Sequence, residues 1–198
     1  MRNSTFILLA LIFLGCSPVR HLKKAEAFIT MVPPIDVVSH NPNPDPSAMD
    51  PMRYYDFFLN AVAKALNEQG IKTLVDLPGM ERTEMKPNQF AIEIGMAHIE
   101  DMRMEAGLLD AIPDENPDLD KIKFMLVGGF NSVDKKNLAI AKTTSIEAEL
   151  GNEGVAALIK EDPDADPIKH IIDQGATAFS ESLKPLIIEH LKANKKGF

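Results

Sequence analysis

The sequence predicts an α+β protein, with two helices packed on one face of a mostly antiparallel twisted sheet. Two observations predict this class. Apolar residues recur at helical spacing in one segment of each half of the chain, and alternating segments typical of half-buried strands lie around and between them. In order, the predicted elements are β-α-β-β-β-β-β-α. With 198 residues, of which 45% are hydrophobic and 25% charged, the chain is long enough for one real core.

The first three elements are predicted by local chemistry. A strand over 25–38 ends at or near Pro33-Pro34, because proline cannot donate a ladder hydrogen bond. Asp50-Pro51 is expected to open the first helix, with a carboxylate at the N-cap and proline at N1. Gly70 is placed to end that helix. A short strand over 71–77 follows, and strand-helix-strand order favours a right-handed parallel crossover. The apolar stripe of the helix comprises Met52, Tyr55, Phe58 (or Phe57), Leu59, Val62 and Leu66.

The second half of the chain is predicted to supply the rest of the sheet and the last helix. Alternation or short apolar runs predict strands over 89–104, 122–128 and 138–150, with a short helix over 104–112. The sequence Gly-Asn-Glu-Gly at 151–154 predicts a turn, so that 155–159 returns as the second strand of a hairpin. A helical stripe runs over 168–192, where Pro185 is expected to kink the helix or split it in two.

The N-terminus predicts where the protein resides. Arg2 is followed by an unbroken apolar run over 6–14, too short to span a bilayer, which is typical of a secretory signal. Residues 13–16, Phe-Leu-Gly-Cys, resemble the lipobox of bacterial lipoproteins, with Phe13 where leucine is usual. The resemblance implies that Cys16 is acylated and the peptide before it removed. We therefore expect a lipoprotein signal peptide at 1–15, a lipidated tether at 16–24 and a single α+β domain at 25–198.

Net charge and cysteine content indicate which partners and which covalent links to expect. The formal net charge is −8, and removal of Arg2 with the signal makes it one unit more negative. An acidic protein is repelled by phosphate backbones, so nucleic acid is not an expected partner. Cys16 is the one cysteine in the sequence, so no internal disulfide is expected and the domain must be stabilised by packing.

No catalytic motif emerges from the sequence. It contains no Gly-x-Ser-x-Gly, no His-Glu-x-x-His and no Walker loop, so we predict no catalytic residues, no enzyme activity and no cofactor. Asp162, Asp164 and Asp166 alternate like the start of a calcium loop and are weak metal candidates. The preferred interpretation is a solvated loop in which Asp166 caps the last helix at Pro167. The methionines, among them Met96 and Met125, are predicted to fill the core.

Two stretches carry a resemblance to a known family. The sequence Asp-Leu-Pro-Gly at 76–79 closes the second predicted strand, and Thr-Ser-Ile-Glu-Ala-Glu-Leu at 144–150 leads into a glycine turn and Val-Ala-Ala at 155–157. Together with the lipobox, these motifs resemble a family of proteobacterial lipoproteins known as a domain of unknown function. At the level of architecture, the element order is similar to envelope assembly lipoproteins such as the curli secretion component. The resemblance implies no catalytic residues.

Two functions from different classes follow. The first is an outer-membrane lipoprotein facing the periplasm, attached to the membrane by its N-terminal lipid. It would act without catalysis, as a structural or assembly accessory, through contacts with an envelope protein. The second is a lipid-tethered binding protein for a small ligand or divalent cation, which rests on the acidic loops. An envelope hydrolase is a third and weaker alternative.

Overall fold

Six strands and three helices make up the part of the chain that the computed structural model describes, namely residues 25–31, 35–40, 50, 52–75, 86, 88–103, 120–133 and 139–193. They confirm the α+β class. The strands are β1 (Glu26–Met31), β2 (Asp36–Ser39), β3 (Lys72–Val75), β4 (Gln89–Asp101), β5 (Lys121–Val133) and β6 (Ala139–Gly151). The helices are α1 (Tyr55–Glu68), α2 (Asn152–Glu161) and α3 (Pro167–Ala193).

The strands form one mixed sheet in the order β3-β1-β4-β5-β6. The two longest pairs, β4–β5 and β5–β6, are antiparallel as predicted, whereas β1 is parallel to both β3 and β4, so the sheet is mixed. The parallel β1–β3 pair agrees with the crossover predicted from the strand-helix-strand order. The short strand β2 is also parallel to β4 and pairs with its far end, beyond β1.

Helices α1 and α3 cover one face of the sheet, and the core lies between the two layers. Alternate residues of β5 point toward the helices and are buried, from Ile122 to Phe130. The ring of Phe124 meets that of Phe58 from α1 edge to face, with 6.1 Å between their centroids. Gly175 of α3 lies directly against Phe124, which allows the helix to approach the sheet closely. We call this the helix face.

Gly70 ends α1 as the sequence predicts. Its φ of +84° lies in the left-handed region that glycine adopts without strain. Gly70 N–H donates to Asn67 O at 2.9 Å, and Ile71 N–H donates to Leu66 O at 3.0 Å. These two bonds form a Schellman motif, and the buried side chain of Ile71 supplies its hydrophobic contact.

The start of α1 differs from the prediction. The helix begins at Tyr55, and the Asp50 carboxylate instead accepts the Met52 N–H at 2.9 Å in a turn before it. As a result Met52 is 61% exposed, whereas Tyr54 is buried in its place. Phe58, Val62 and Leu66 are buried as predicted, and Leu59 is partly buried against the core.

The last helix has the cap that the sequence predicts at Asp166, but it is not divided at Pro185. Asp166 Oδ1 accepts the N–H groups of Ile168 and Lys169 at 2.9 and 3.3 Å, with Pro167 in the first helical position. The helix then runs through Pro185 as one element of 27 residues. Of the two alternatives predicted for Pro185, a kink or a division into two helices, the division is therefore wrong.

Two strand predictions are also corrected. The predicted strand over 25–38 is divided into β1 and β2, which occupy successive stretches of the same edge of β4. Residues 155–159, predicted to return as a hairpin strand, belong to helix α2. Gly151 takes an extended conformation at its N-cap, and the alanines, leucine, lysine and glutamate that follow are good helix formers. The predicted short helix over 104–112 lies outside the described residues.

Candidate binding surface

The second face of the sheet carries no helix among the described elements. We define the open face as the outward-pointing residues of β2, β4, β5 and β6. Its half-buried or exposed side chains include Asp36, Val38, Glu93, Met96, His98, Glu100, Lys121, Lys123, Met125, Val127, Asn131, Thr143, Ser145, Glu147 and Glu149. A broad solvent-facing sheet surface of this kind is available for contact with other molecules.

A β-bulge in β4 shapes the middle of the open face. The pairing with β5 shifts between Ile94 and Met96, so Gly95 is the extra residue. After the bulge, Ala97 and Ile99 continue on the helix face, while Met96 and His98 point outward. Without the shift, the buried and exposed sides of the second half of β4 would be exchanged.

The open face is acidic. Its carboxylates, from Asp36, Glu93, Glu100, Glu147 and Glu149, outnumber its lysines, which are Lys121 and Lys123. At one end a shallow hollow of about 200 Å³ lies among the side chains of three neighbouring strands, β4, β5 and β6. There Lys123 stands between Glu100 and Glu149, and the Lys121 ammonium lies 3.0 Å from Glu149.

Two histidine–carboxylate pairs flank this hollow at the β2 edge. His98 Nδ1 lies 3.0 Å from Asp36 Oδ2, and His40 Nε2 lies 2.8 Å from Glu100 Oε1. Asp36 and His98 face each other directly in the β2–β4 register. Each imidazole is therefore held by a carboxylate of a neighbouring segment. Across the described residues, no group of three or more histidine, aspartate or glutamate side chains is placed to hold a metal ion.

Apolar side chains interrupt the charges. Met96 and Met125 are 39% and 37% exposed, and Met96 lies opposite Val127 in the next strand. The prediction that these two methionines fill the core is therefore wrong. The bulge at Gly95 turns Met96 outward, and Met125 falls on the outward positions of β5. Flexible, polarizable thioethers adapt well to a partner surface.

A second hollow, of about 180 Å³, lies over glycines in the middle of the sheet. Gly95 and Gly129 contribute no side chains there, and Glu93, Asn131 and Thr143 are among the polar residues at its rim. The volume is below the roughly 300–1,000 Å³ of typical small-molecule pockets. It is therefore better suited to a single side chain or a few waters than to an organic ligand.

The residues that the sequence predicts as lipidation or metal sites are not among those that define the open face. Cys16, the predicted signal and the tether lie outside the described residues. Asp162 and Asp166 are each engaged locally: Asp162 Oδ1 accepts the Asp164 N–H at 3.1 Å, while Asp166 caps α3 and lies 3.6 Å from Arg53 Nη2. Asp164 is exposed. The structure therefore places these aspartates in the turn between α2 and α3, away from the open face.

One buried polar pair gives no signal in the sequence. Ser132 Oγ lies 2.9 Å from His190 Nε2, and the side chains are 0% and 4% exposed. The rings of Phe90 and Phe130 meet the imidazole edge to face. A serine beside a histidine is the start of a hydrolytic triad. Here, however, the pair is enclosed by the core, so it acts as a structural link between β5 and α3.

Among the described residues, two ionisable side chains have shifted pKa values. Hydrogen bonds from Lys72 and Gln89 lower the pKa of Glu26, which lies beside them in adjoining strands. The paired hydrogen bonds to Asp101, at 2.8 and 2.7 Å, raise the pKa of Arg103. Neither group adjoins either hollow, so these shifts stabilise local structure and do not indicate a reactive site.

None of the described helices is both long and apolar enough to cross a bilayer. A scan against protein-family models and a search of curated proteins find no match.

Solved structures with similarity to the chain include three bacterial lipoproteins. A lipoprotein from Caulobacter crescentus has a TM-score of 0.38 at 6% identity, covering 89% of this chain and 96% of its own. A minor lipoprotein from Acinetobacter baumannii has a TM-score of 0.36 at 10% identity, covering 80% and 93%. Rare lipoprotein B from Shewanella oneidensis has a TM-score of 0.36 at 11% identity, covering 78% and 96%.

Proposed function

We propose that this chain is a lipid-anchored protein of the bacterial outer membrane that faces the periplasm. In this proposal it catalyses no reaction and serves as a structural or assembly accessory by binding another envelope protein on its open face. The observation that carries the proposal is the one-sided fold, since α1 and α3 cover the helix face while the opposite face presents an acidic surface.

The anchor is supported by the sequence. The short apolar run that ends in Gly15-Cys16 matches the requirement for signal-directed export followed by acylation of Cys16. One acyl chain gives only marginal membrane attachment, whereas the several chains of a bacterial lipoprotein give stable attachment.

The chemistry of the open face defines the partner. Its excess of carboxylates favours a protein with a basic surface, because complementary charge raises the association rate and excludes acidic partners. Met96 and Met125 add apolar contact among those charges. The partner in this proposal is therefore a protein with lysine or arginine side chains around a small apolar centre.

A site-resolved crosslinking experiment tests whether a partner binds the open face. A photo-crosslinking amino acid is placed at Met96 or Met125 on the open face, or at the exposed Lys160 or Glu181 on helices α2 and α3. We expect the open-face positions to crosslink to one envelope protein and the helix positions not to do so. Crosslinks of equal yield from all four positions would contradict the proposal.

Cys16→Ser tests the anchor separately. We expect the wild-type protein in the membrane fraction, and the variant either unprocessed or released in soluble form. Extraction of the wild-type protein by high salt alone would exclude the lipid anchor.

A second candidate function is a lipid-tethered binding protein for a small ligand or divalent cation. The glycine-floored hollow near Glu93 and Asn131 is the observation that favours it. Because the hollow is small, a cation with its waters fits better than an organic molecule. Isothermal titration with calcium and magnesium tests it, and heat signals abolished by Glu93→Gln would support it.

A further inference from the structure

The outer edge of β6 is the longest unpaired strand edge among the described residues. β6 has 13 residues and is last in the sheet order, whereas β3 at the opposite end has four. Residues 155–159, predicted to return as the hairpin partner of this strand, form part of helix α2 instead. Within the described part of the chain, the backbone groups of β6 that point away from β5 are therefore a template for another strand.

Natural sheets protect long edges with proline, bulges, charged side chains or short strands, and of these features β6 has only the charged side chains. Its sequence contains no proline, and its pairing with β5 continues from Gly151 to Ala139 without a register shift. By contrast, both the β1–β4 and β4–β5 pairs contain an irregularity. The edge is thus regular enough to accept a strand along much of its length.

The side chains of β6 specify what kind of strand fits. On the open face, Glu147 and Glu149 are exposed, and Thr143 and Ser145 continue the row. On the helix face, Ile146 and Ala148 are partly buried against the core. A strand that is added outside β6 would place alternate side chains beside the glutamates and beside these apolar residues.

The inner neighbour of β6 shows which side chains satisfy this pattern. In β5, Lys123 lies directly opposite Glu149, and Lys121 reaches the same carboxylate at 3.0 Å. The alternate residues Phe124 and Leu126 lie opposite Ala148 and Ile146. The sequence Lys-Ile-Lys-Phe of β5 therefore complements β6 from the inside.

We infer that the outer edge of β6 binds an extended segment of a partner protein by strand addition. The segment carries lysine or arginine at alternate positions with apolar residues between them. Backbone hydrogen bonds supply affinity, and the glutamates select the basic alternation. The inference rests on the proposed function, because it specifies how the partner protein binds. A second copy fits less well, since a β6–β6 pair would bring four carboxylates together on one face.

The test uses the full chain in detergent and a labelled peptide with the sequence Lys-Ile-Lys-Phe-Met-Leu-Val, that of residues 121–127. Amide hydrogen exchange is followed by NMR with and without the peptide. We expect binding, together with slower exchange at alternate amides of residues 143–149. The peptide Glu-Ile-Glu-Phe-Met-Leu-Val should bind about tenfold more weakly, from two reversed cross-strand charge pairs.

A protein variant gives the reciprocal test. The double variant Glu147→Lys/Glu149→Lys should bind the basic peptide about tenfold more weakly than the wild type does, and it should bind the acidic peptide more tightly. Glu161→Lys, on the exposed end of α2, is the matched control and should leave both affinities unchanged. An unchanged thermal midpoint shows that the double variant is folded. The comparison of the two peptides uses the wild-type protein, so it does not depend on the folding of the double variant.

The outcomes separate this inference from the proposed function. If the peptide slows amide exchange only at the edge of β3 or on the open face, strand addition at β6 is wrong. Equal affinities of the two peptides would also overturn it. Dimers formed through β6 that exclude the peptide would overturn it in favour of a second copy. Crosslinks from Met96 and Met125 in cells, without β6 protection, would leave the proposed function standing and remove the strand-addition mechanism.

Discussion

Ser132 Oγ and His190 Nε2 lie 2.9 Å apart inside the core, where they join the far end of β5 to the last turns of α3. Both side chains are buried, and two phenylalanine rings pack against the imidazole. A hydrogen bond between two buried polar groups is most sensitive to the loss of one partner, because the other is left without the water it had when unfolded.

Ser132→Ala should therefore reduce the free energy of unfolding by about 1–3 kcal/mol, the range for an unsatisfied buried group. Ser145→Ala makes the same chemical change on the exposed open face and should alter it by no more than about 0.5 kcal/mol. Urea denaturation of both variants measures the difference. Equal stabilities would mean that the His190 imidazole has another partner, or water, in the folded protein.

Gly175→Ala should be destabilising even though alanine favours helices. A Cβ at this position would overlap the ring of Phe124, which is itself held by Phe58. Overpacking costs about 1–3 kcal/mol, whereas the gain in helix propensity is about 1 kcal/mol. We expect thermal melts to show a net loss. Gly151→Ala is the control, because its Cβ would meet nothing within 4 Å and its φ is −75°.

Phe58→Ala and Met52→Ala should separate the buried stripe of α1 from its exposed start. Phe58 is fully buried and packs on Phe124, so its truncation should cost about 3–5 kcal/mol. Met52 is 61% exposed, so its loss should cost no more than about 0.5 kcal/mol. Chemical denaturation measures both. A large effect at Met52 would show that it packs against another part of the protein.

Asp166→Ala should cost about 1 kcal/mol, because the carboxylate caps α3 through two backbone N–H groups. Asp162→Asn with Asp164→Asn should change stability by no more than about 0.5 kcal/mol. Calcium should not alter these values. If the loop binds calcium, saturation at about 100 times the dissociation constant would add about 2.7 kcal/mol to the wild type. Thermal melts with calcium or chelator decide between these outcomes.

Glu26 should make the protein more sensitive to acid. Hydrogen bonds from Lys72 and Gln89 lower its pKa below the ordinary value of 4.5, so the folded state favours the charged form. Its contribution to stability is present above pH 4.5 and is lost as the pH falls through the lowered pKa. Glu26→Gln should therefore flatten the fall of the thermal midpoint below that pH. Lys72→Met should flatten it similarly. A Glu26→Gln profile that coincides with the wild type would contradict this assignment.

Local sequence predicted the features that depend on neighbours along the chain. The cap of α3 at Asp166, the end of α1 at Gly70 and the burial of Phe58 each follow from residues within a few positions of one another. The α+β class follows from the same periodicities. Such signals are readable because helix capping and amphipathic spacing are short-range.

Strand pairing and the exposure of the sheet were decided by the tertiary structure. A glycine-asparagine-glutamate-glycine sequence suits both a hairpin turn and the start of a helix. Because α2 forms, the outer edge of β6 has no partner strand among the described residues. The bulge at Gly95 turned Met96 outward, and Ser132 met His190 across 58 positions of sequence. The sequence by itself determined the α+β class, and the prediction of an export signal also rests on the sequence alone. The open face, the strand edge and the buried pair arose only from packing between distant segments, because contacts that far apart leave no periodic pattern in the sequence.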